Sequence, residues 1–353
     1  MPSRFIEKVS ALADILDLPG SAGVGSYGGV PFARTESGLL QLGVVGPGKQ
    51  FFLDPVNGLD ANDGLTPATA KKTLDGTAGA YSLATAGKND VIFLISDGAT
   101  TSTARVDAAF TWAKAATHLV GLCSGVNISN RARIAPTAAT TAFANFFTVS
   151  ASGCLFANLQ WFHGFTTGAV ASIALTVTGG RNLFRNCHIL GMGDAESAAD
   201  AGSRCILLSG NTGENQFVDC TIGGDALARS AANANVGFAV NAARNVFRRC
   251  QFLMLTTSNT SLFAIAPASG LDRWAYFDNC KFLNCISAAS GGTAITGLAT
   301  LAGSAGMLVL DNPFCLGVTT YGTDATTDAQ MRIAGAVVAA NGALIGLSVA
   351  PAA

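Results

Sequence analysis

Asp219 and Asp278 are the acids whose placement could do chemistry. Each stands in a phrase that recurs through the middle third of the chain, one at its third position and one at its second. Two carboxylates held on one exposed face can work on a glycosidic bond, as acid and base or as acid and nucleophile. Asp194, Glu196 and Asp200 crowd one stretch and Asp225 follows in the next, which suits a saccharide groove or simple solvated loops. Asp60, Asn62 and Asp63 approximate a calcium loop, but the closing bidentate Glu is missing and turn formation accounts for them. The three histidines, His118, His163 and His188, form neither HExxH nor HxH. No nucleophile elbow supports a serine triad. The glycine-rich stretch 20–29 has no Lys and no preceding strand, so it is not a phosphate loop. Nine cysteines show no CxxC spacing, which argues against zinc. The expectation is a chain without metal, cofactor or catalytic centre.

What would position the acids is the phrase itself. It reads Phe156-Ala157-Asn158-Leu159-Gln160-Trp161, then Phe184-Arg185-Asn186-Cys187-His188-Ile189. It returns as Phe217-Val218-Asp219-Cys220-Thr221-Ile222, Phe247-Arg248-Arg249-Cys250-Gln251-Phe252 and Phe277-Asp278-Asn279-Cys280-Lys281-Phe282. Successive phenylalanines lie 28, 33, 30 and 30 residues apart. A period of that size signals a solenoid. Position four, Leu once and Cys four times, is a small buried plug. Position six is apolar, and position five between them (Gln160, His188, Thr221, Gln251, Lys281) is expected to face water. Position three is expected to bend the backbone, as Asn and Asp readily do. A further strand precedes each phrase, with apolar positions Phe147 and Val149, Leu175 and Val177, Ile206 and Leu208, Phe238 and Val240, Phe263 and Ile265. One repeat is therefore strand, turn, strand, bend, strand, loop. Stacked repeats give an all-β right-handed parallel β-helix of seven or eight coils, with Phe156, Phe184, Phe217, Phe247 and Phe277 in one column and Cys187, Cys220, Cys250 and Cys280 in another. Asp219 and Asp278 would lie two coils apart, roughly 10 Å, at or just beyond the long end for an inverting pair.

Composition bounds the function. The chain has 353 residues, 12% charged and 49% apolar, with a net charge of -1. That balance argues against nucleic acid and against an anionic membrane. Free buried thiols and the lack of a secretory signal fit assembly in a reducing cytoplasm. The apolar stretch 333–353 could imitate a membrane span, but its Ala and Gly content, Asn341 and Pro351 favour strands packed on the body or on a partner.

In chain order, residues 4–17 read as an amphipathic helix, with Phe5, Ile6, Val9, Leu12 and Leu16 on one side. Strands at 30–34 and 38–42 read as a hairpin. Asp54, Gly58, Asp60, Asn62, Asp63, Gly64, Thr66, Pro67 and Ala70 follow, then a helix expected over about Leu74 to Thr85 and a buried strand over Asp90 to Gly98. This order resembles the opening segment of pectin-lyase-like β-helix proteins, many of them encoded by bacteriophages. The resemblance implies a β-helix whose open end the helix covers, and it specifies fold rather than function. The short front helix and hairpin around Arg34-Thr35-Glu36-Ser37-Gly38 are similar to attachment segments of phage fibres and decoration proteins. A first complete coil is expected at 118–134 and a last at 307–315, with loops at 287–306 and 316–332.

Three parts are expected: an attachment segment over 1–48, the β-helix over 49–316, and C-terminal strands over 317–353 on the body or on a neighbour. Function divides into two readings. One is a non-enzymatic phage virion protein, a homotrimeric capsid decoration or cement protein at the virion surface, attached through Phe5, Ile6, Val9, Leu12 and Leu16. The other is a tailspike or adhesin that binds or cleaves host polysaccharide.

Overall fold

Alternating apolar side chains turn each repeat into three short strands, and the strands of successive repeats pair in parallel. The structure is a computed structural model that describes residues 24–27, 30–33, 48–97, 99–123, 132–137, 145–164, 171–210, 213–286 and 290–334. Strands that open the phrases, such as Leu183–Arg185 and Gln216–Val218, lie in a ten-stranded sheet, called sheet 1. Strands that close them, such as His188–Leu190 and Gln251–Thr256, form the eight-stranded sheet 2. The preceding strands, such as Arg204–Ser209 and Ala234–Ala239, form the eight-stranded sheet 3. The result is an all-β parallel β-helix.

The bend between sheets 1 and 2 has one cause, repeated. Asn158, Asn186, Asp219, Arg249 and Asn279 all take positive φ, between 47° and 57°, and Asn312 repeats it at 49°. A single left-handed residue turns the chain sharply, and Asn and Asp tolerate it best. Inside, Phe156, Phe184, Phe217, Phe247 and Phe277 stack with centroids 4.9, 4.6, 4.7 and 4.7 Å apart and planes within 11°. Each buried ring contributes on the order of 1.5–3 kcal/mol by leaving water. Cys187, Cys220, Cys250 and Cys280 fill the corner beside them at 0–1% exposure, all as free thiols. Each thiol reaches the carbonyl of a phenylalanine in the preceding coil: Cys187 to Phe156, Cys220 to Phe184, Cys250 to Phe217 and Cys280 to Phe247, at 3.3–3.5 Å. Burial pushes the Cys187 and Cys250 thiols well above their ordinary range.

The opening turn is held by its acids. Asp54 accepts from the Val56 and Asn57 amides, and Asp60 from the Lys72 and Thr73 amides. The helix expected over Leu74 to Thr85 shrinks to Ala80–Leu83, because Gly76 takes φ 77° and Gly79 stands at the helix start. Leu74 and Ala80 still plug the end of the core at 0% exposure.

Four other expectations are corrected. The ladder does not stop at 316: Val318–Gly322 joins sheet 3 and Met331–Ala334 joins sheet 1, pairing Ile333 with Leu310. The stretches 287–306 and 316–332 are therefore not simply loops, since they also hold the strand Ile295–Thr300 and the helix Ala325–Ala329. A coil also precedes the one expected at 118–134, formed by Asp90–Ile95, Ala104–Val106 and Phe110–Trp112. Val30–Ala33 pairs backward with Val24–Tyr27, with Gly28 and Gly29 between them in sequence, a pair that suits a two-residue hairpin turn. The residues 38–42, expected as its partner, lie outside the described residues. So do Phe5, Ile6, Val9, Leu12 and Leu16, and the apolar stretch from 335 on. Among the described residues no helix is long and apolar enough to cross a membrane.

Candidate functional site

Register decides which ionisable side chains meet. On the outer face of sheet 1 the residues after the phenylalanines form one row across the coils: Arg185, Val218, Arg248, Asp278 and Asp311. Asp278 and Asp311 are direct neighbours on adjacent strands, about 4.8 Å apart in the pairing direction. Asp278 accepts from Arg248 Nε at 2.8 Å, with side-chain exposures of 19% and 43% for the acid and the arginine. Tyr276, in the adjoining outward row, donates its hydroxyl to Asp311 Oδ2 at 2.7 Å. That bond pushes the phenol up to about 12, so Tyr276 stays protonated. At the bend beside this row Arg249 grips Asp219 with two nitrogens, at 2.7 and 2.9 Å. Asn312 donates to Asn279 Oδ1 at 2.7 Å.

The sequence pairing of Asp219 with Asp278 is thus replaced. Each binds its own arginine, and Asp278 has its nearest carboxylate neighbour in Asp311. Leu310 stands where earlier phrases carry Phe, so the sequence pattern leaves the coil expected at 307–315 unaligned with them; aligning Leu310-Asp311-Asn312 with Phe277-Asp278-Asn279 brings Asp311 beside Asp278. The corner offers guanidinium donors, carboxylate acceptors and a phenol within a few ångströms, which can grip a hydroxyl-rich or charged partner. Other sequence candidates do structural work. Asp194 caps Ala195–Ala198 by accepting from the Ser197 amide, and Asp200 accepts from the Gly202 amide. Among the described residues no group of three or more His, Cys, Asp or Glu could hold a metal.

The fifth-position column is also corrected. Gln160, His188 and Thr221 are 3–5% exposed rather than in water, and only Lys281 is fully outward and exposed. Gln160 and His188 belong to a bonded chain: Arg133 Nε donates to Gln160 Oε1 at 2.7 Å, Gln160 Nε2 meets His188 Nδ1 at 2.9 Å, and His188 Nε2 meets the Gly223 carbonyl at 2.9 Å. Such a satisfied chain is what permits polar groups to be buried. Burial lowers the His188 pKa to about 4. Val240 and Ile265, expected inward, are not: Val240 is 61% exposed with φ 50°, and Ile265 pairs with Gly237 on the outer row of sheet 3.

One further ladder escaped sequence reasoning. Asn182, Asn215 and Asn245 stand two residues before the phenylalanines of their coils, buried at 1–2%. Asn182 Nδ2 donates to Asn215 Oδ1 at 3.1 Å, and Asn215 Nδ2 to Asn245 Oδ1 at 3.0 Å. Just outside it, Glu214 accepts from Arg181 at 2.8 Å and lies 3.4 Å from Arg244.

No family model matches the chain, and no curated protein matches it. Among solved structures, it is similar to the pectin methylesterase PemA of Erwinia chrysanthemi, with a TM-score of 0.50 and 17% identity over 82% of this chain and 91% of that one. A pectin methylesterase mutant in complex with a hexasaccharide gives a TM-score of 0.47 at 17% identity over 73% of this chain and 85% of that chain. ORF18 of Geobacillus virus E2 gives 0.44 at 13% identity, over 86% of this chain and 57% of that one. The chain shares the parallel β-helix fold of pectin methylesterase.

Proposed function

We propose that the chain is a non-enzymatic structural protein of a phage virion, a homotrimeric capsid decoration or cement protein that binds the capsid lattice. The observation that carries this reading is how the acids of the coils are used. Asp219 and Asp278 bind arginines, Asp311 accepts from a phenol, and Asp54, Asp60, Asp90 and Asp194 accept backbone amides. Acid–base catalysis needs ionisable groups poised toward a substrate instead. The opening-turn residues Asp54 to Ala70 resemble those of pectin-lyase-like β-helix proteins, many of them encoded by bacteriophages, which fits a phage source without fixing the role. Its place would be the virion surface, after assembly in the host cytoplasm.

A second reading has one observation in its favour. Asp278 and Asp311 sit side by side on adjacent strands of an outer face, and a strand spacing of about 4.8 Å can hold two carboxylates at the short separation of about 5 Å that retaining glycosidases use. In that reading the chain is a tailspike or adhesin acting on host polysaccharide. Incubation with host surface polysaccharide separates the two. We expect no oligosaccharide release by the wild type. Release that disappears in the Asp278→Asn, Asp311→Asn double variant, with its melting unchanged, would establish the enzymatic reading.

A further inference from the structure

A hollow of about 460 Å³ opens on the outer face of sheet 3. Its walls come from successive coils, so the solenoid itself fixes their spacing. The outer row of this sheet runs Leu207, Gly237, Ile265 and Thr300. Gly237 leaves one side chain out of the middle of the row, and the Leu207 and Arg204 side chains close over it, so Gly237 forms part of the floor of the hollow. A Cβ at Gly237 would come within 3.1 Å of Leu207 Cδ1 and 3.3 Å of Arg204 Cδ and Nε. Arg204 is the one charged residue among those lining the hollow; Ile173, Phe238, Ala266 and Pro267 are among the apolar rest.

Arg204 is half-buried without a carboxylate within ion-pair distance among the described residues. Its Nη1 donates to the Ala201 and Ser203 carbonyls at 2.8 and 2.6 Å, which anchors the guanidinium from behind. Its Cδ and Nε lie against Gly237, each 3.3 Å from where a Cβ there would stand. Burial lowers its pKa to about 10, with Asp200 opposing that shift from a distance. A cation partly removed from water and backed by carbonyls gains when an anion completes its shell. An apolar hollow with one polar anchor is also the usual form of a small-molecule site, and its volume falls within the range of about 300–1,000 Å³ for such sites.

We propose that this hollow binds a small organic acid with an apolar body, its carboxylate on Arg204 and its apolar part against Leu207, Ile265 and Pro267. The site is separate from the acid row on sheet 1 and does not depend on the virion reading. The probe is 2-naphthoate, titrated into the full chain by fluorescence, with 2-naphthylmethanol as the uncharged analogue. We expect saturable naphthoate binding and at least tenfold weaker binding of the alcohol. Arg204→Gln should weaken naphthoate about tenfold or more and leave the alcohol unaffected, while Arg204→Lys should keep most of the affinity. Gly237→Ala, whose methyl would press on Leu207 Cδ1 and the Arg204 stem and displace both walls, should weaken both probes. Melting curves of all variants verify that the coils remain folded. Absent naphthoate binding, equal affinity for acid and alcohol, or equal binding by Arg204→Gln and the wild type would overturn the proposal.

Discussion

His188 shows how a buried titratable side chain makes a coil depend on pH. Its ring bridges Gln160 and the Gly223 carbonyl, and burial lowers its pKa from 6.5 to about 4. The folded chain therefore keeps the ring neutral where the unfolded chain protonates it. Above pH 6.5 both states are neutral and the ring makes no difference. As pH falls from about 6.5 to about 4, the unfolded state gains a proton that the folded state refuses, and stability drops by up to about 3 kcal/mol. We expect urea midpoints to decline over this window in the wild type and less steeply in His188→Gln, whose amide can still reach both partners. Parallel curves for the two would show that His188 is not buried neutral. The residue scale is also where the sequence misled. His188 sits at an alternating position beside inward Cys187 and Ile189, so alternation alone sent it to water. Neither the Gln160 partner, one coil earlier in the sequence, nor the Gly223 carbonyl leaves a mark on the local pattern. The bend, by contrast, was legible, because Asn or Asp fills that position in four phrases of five and the left-handed conformation is a property of the residue itself.

Each coil is tied to the next by side chains as well as by backbone pairing, and the asparagine ladder is the clearest case. Asn215 donates to Asn245 Oδ1 and to the Gly179 carbonyl, and accepts from the amide and the side chain of Asn182. Replacing it with a leucine of similar size removes four hydrogen bonds inside the turn and leaves buried groups without partners. Asn215→Leu should cost about 2–4 kcal/mol, and thermal melting measures it. Asn186→Gly, at a bend with φ 47°, should change stability by less than about 1 kcal/mol, because glycine adopts that conformation freely and offsets the lost side-chain bond. Similar losses for both would mean that the ladder is solvated rather than structural. The ladder was readable in principle: all three asparagines hold the same offset from Phe. It was missed because asparagine before a strand already has a sufficient explanation as a turn residue. The strands of sheet 3 were less readable. Both faces of Arg204–Ser209 and Leu262–Ile265 carry apolar side chains, so composition does not reveal which face points in, and Ile265 was assigned to the wrong one.

For the whole molecule, the core and the attachment of the chain to a lattice are separable problems. The inward column of sheet 1 runs from Phe51 through Ile92, Leu119 and the five phenylalanines to Leu310 and Ile333. Its N-terminal end is closed by Leu74, Ala80 and the opening turn, and the Lys49 amide is anchored on Asp90 Oδ1 at 2.7 Å. Every one of these contacts lies within residues 49–334. The inward column and its cap need only residues 49–334, so we expect the coils to fold without residues 1–47 and the amphipathic pattern of Phe5, Ile6, Val9, Leu12 and Leu16 to serve docking. On the outer side of sheet 1, Val91, Phe93, Val120 and Leu155 form a second apolar cluster, buried at 0–6% and packed against Phe52 of the strand Gln50–Leu53. We expect the chain lacking residues 1–47 to keep its β-rich circular dichroism and cooperative melting but to lose binding to virions produced without the protein. Light scattering should give a trimer for the full chain at micromolar concentration. A full-length monomer would remove the trimer from the proposal. Undiminished virion binding by the shortened chain would move the attachment surface from the first 47 residues to the coils, where the Arg248, Asp278 and Asp311 row would be the next surface to alter.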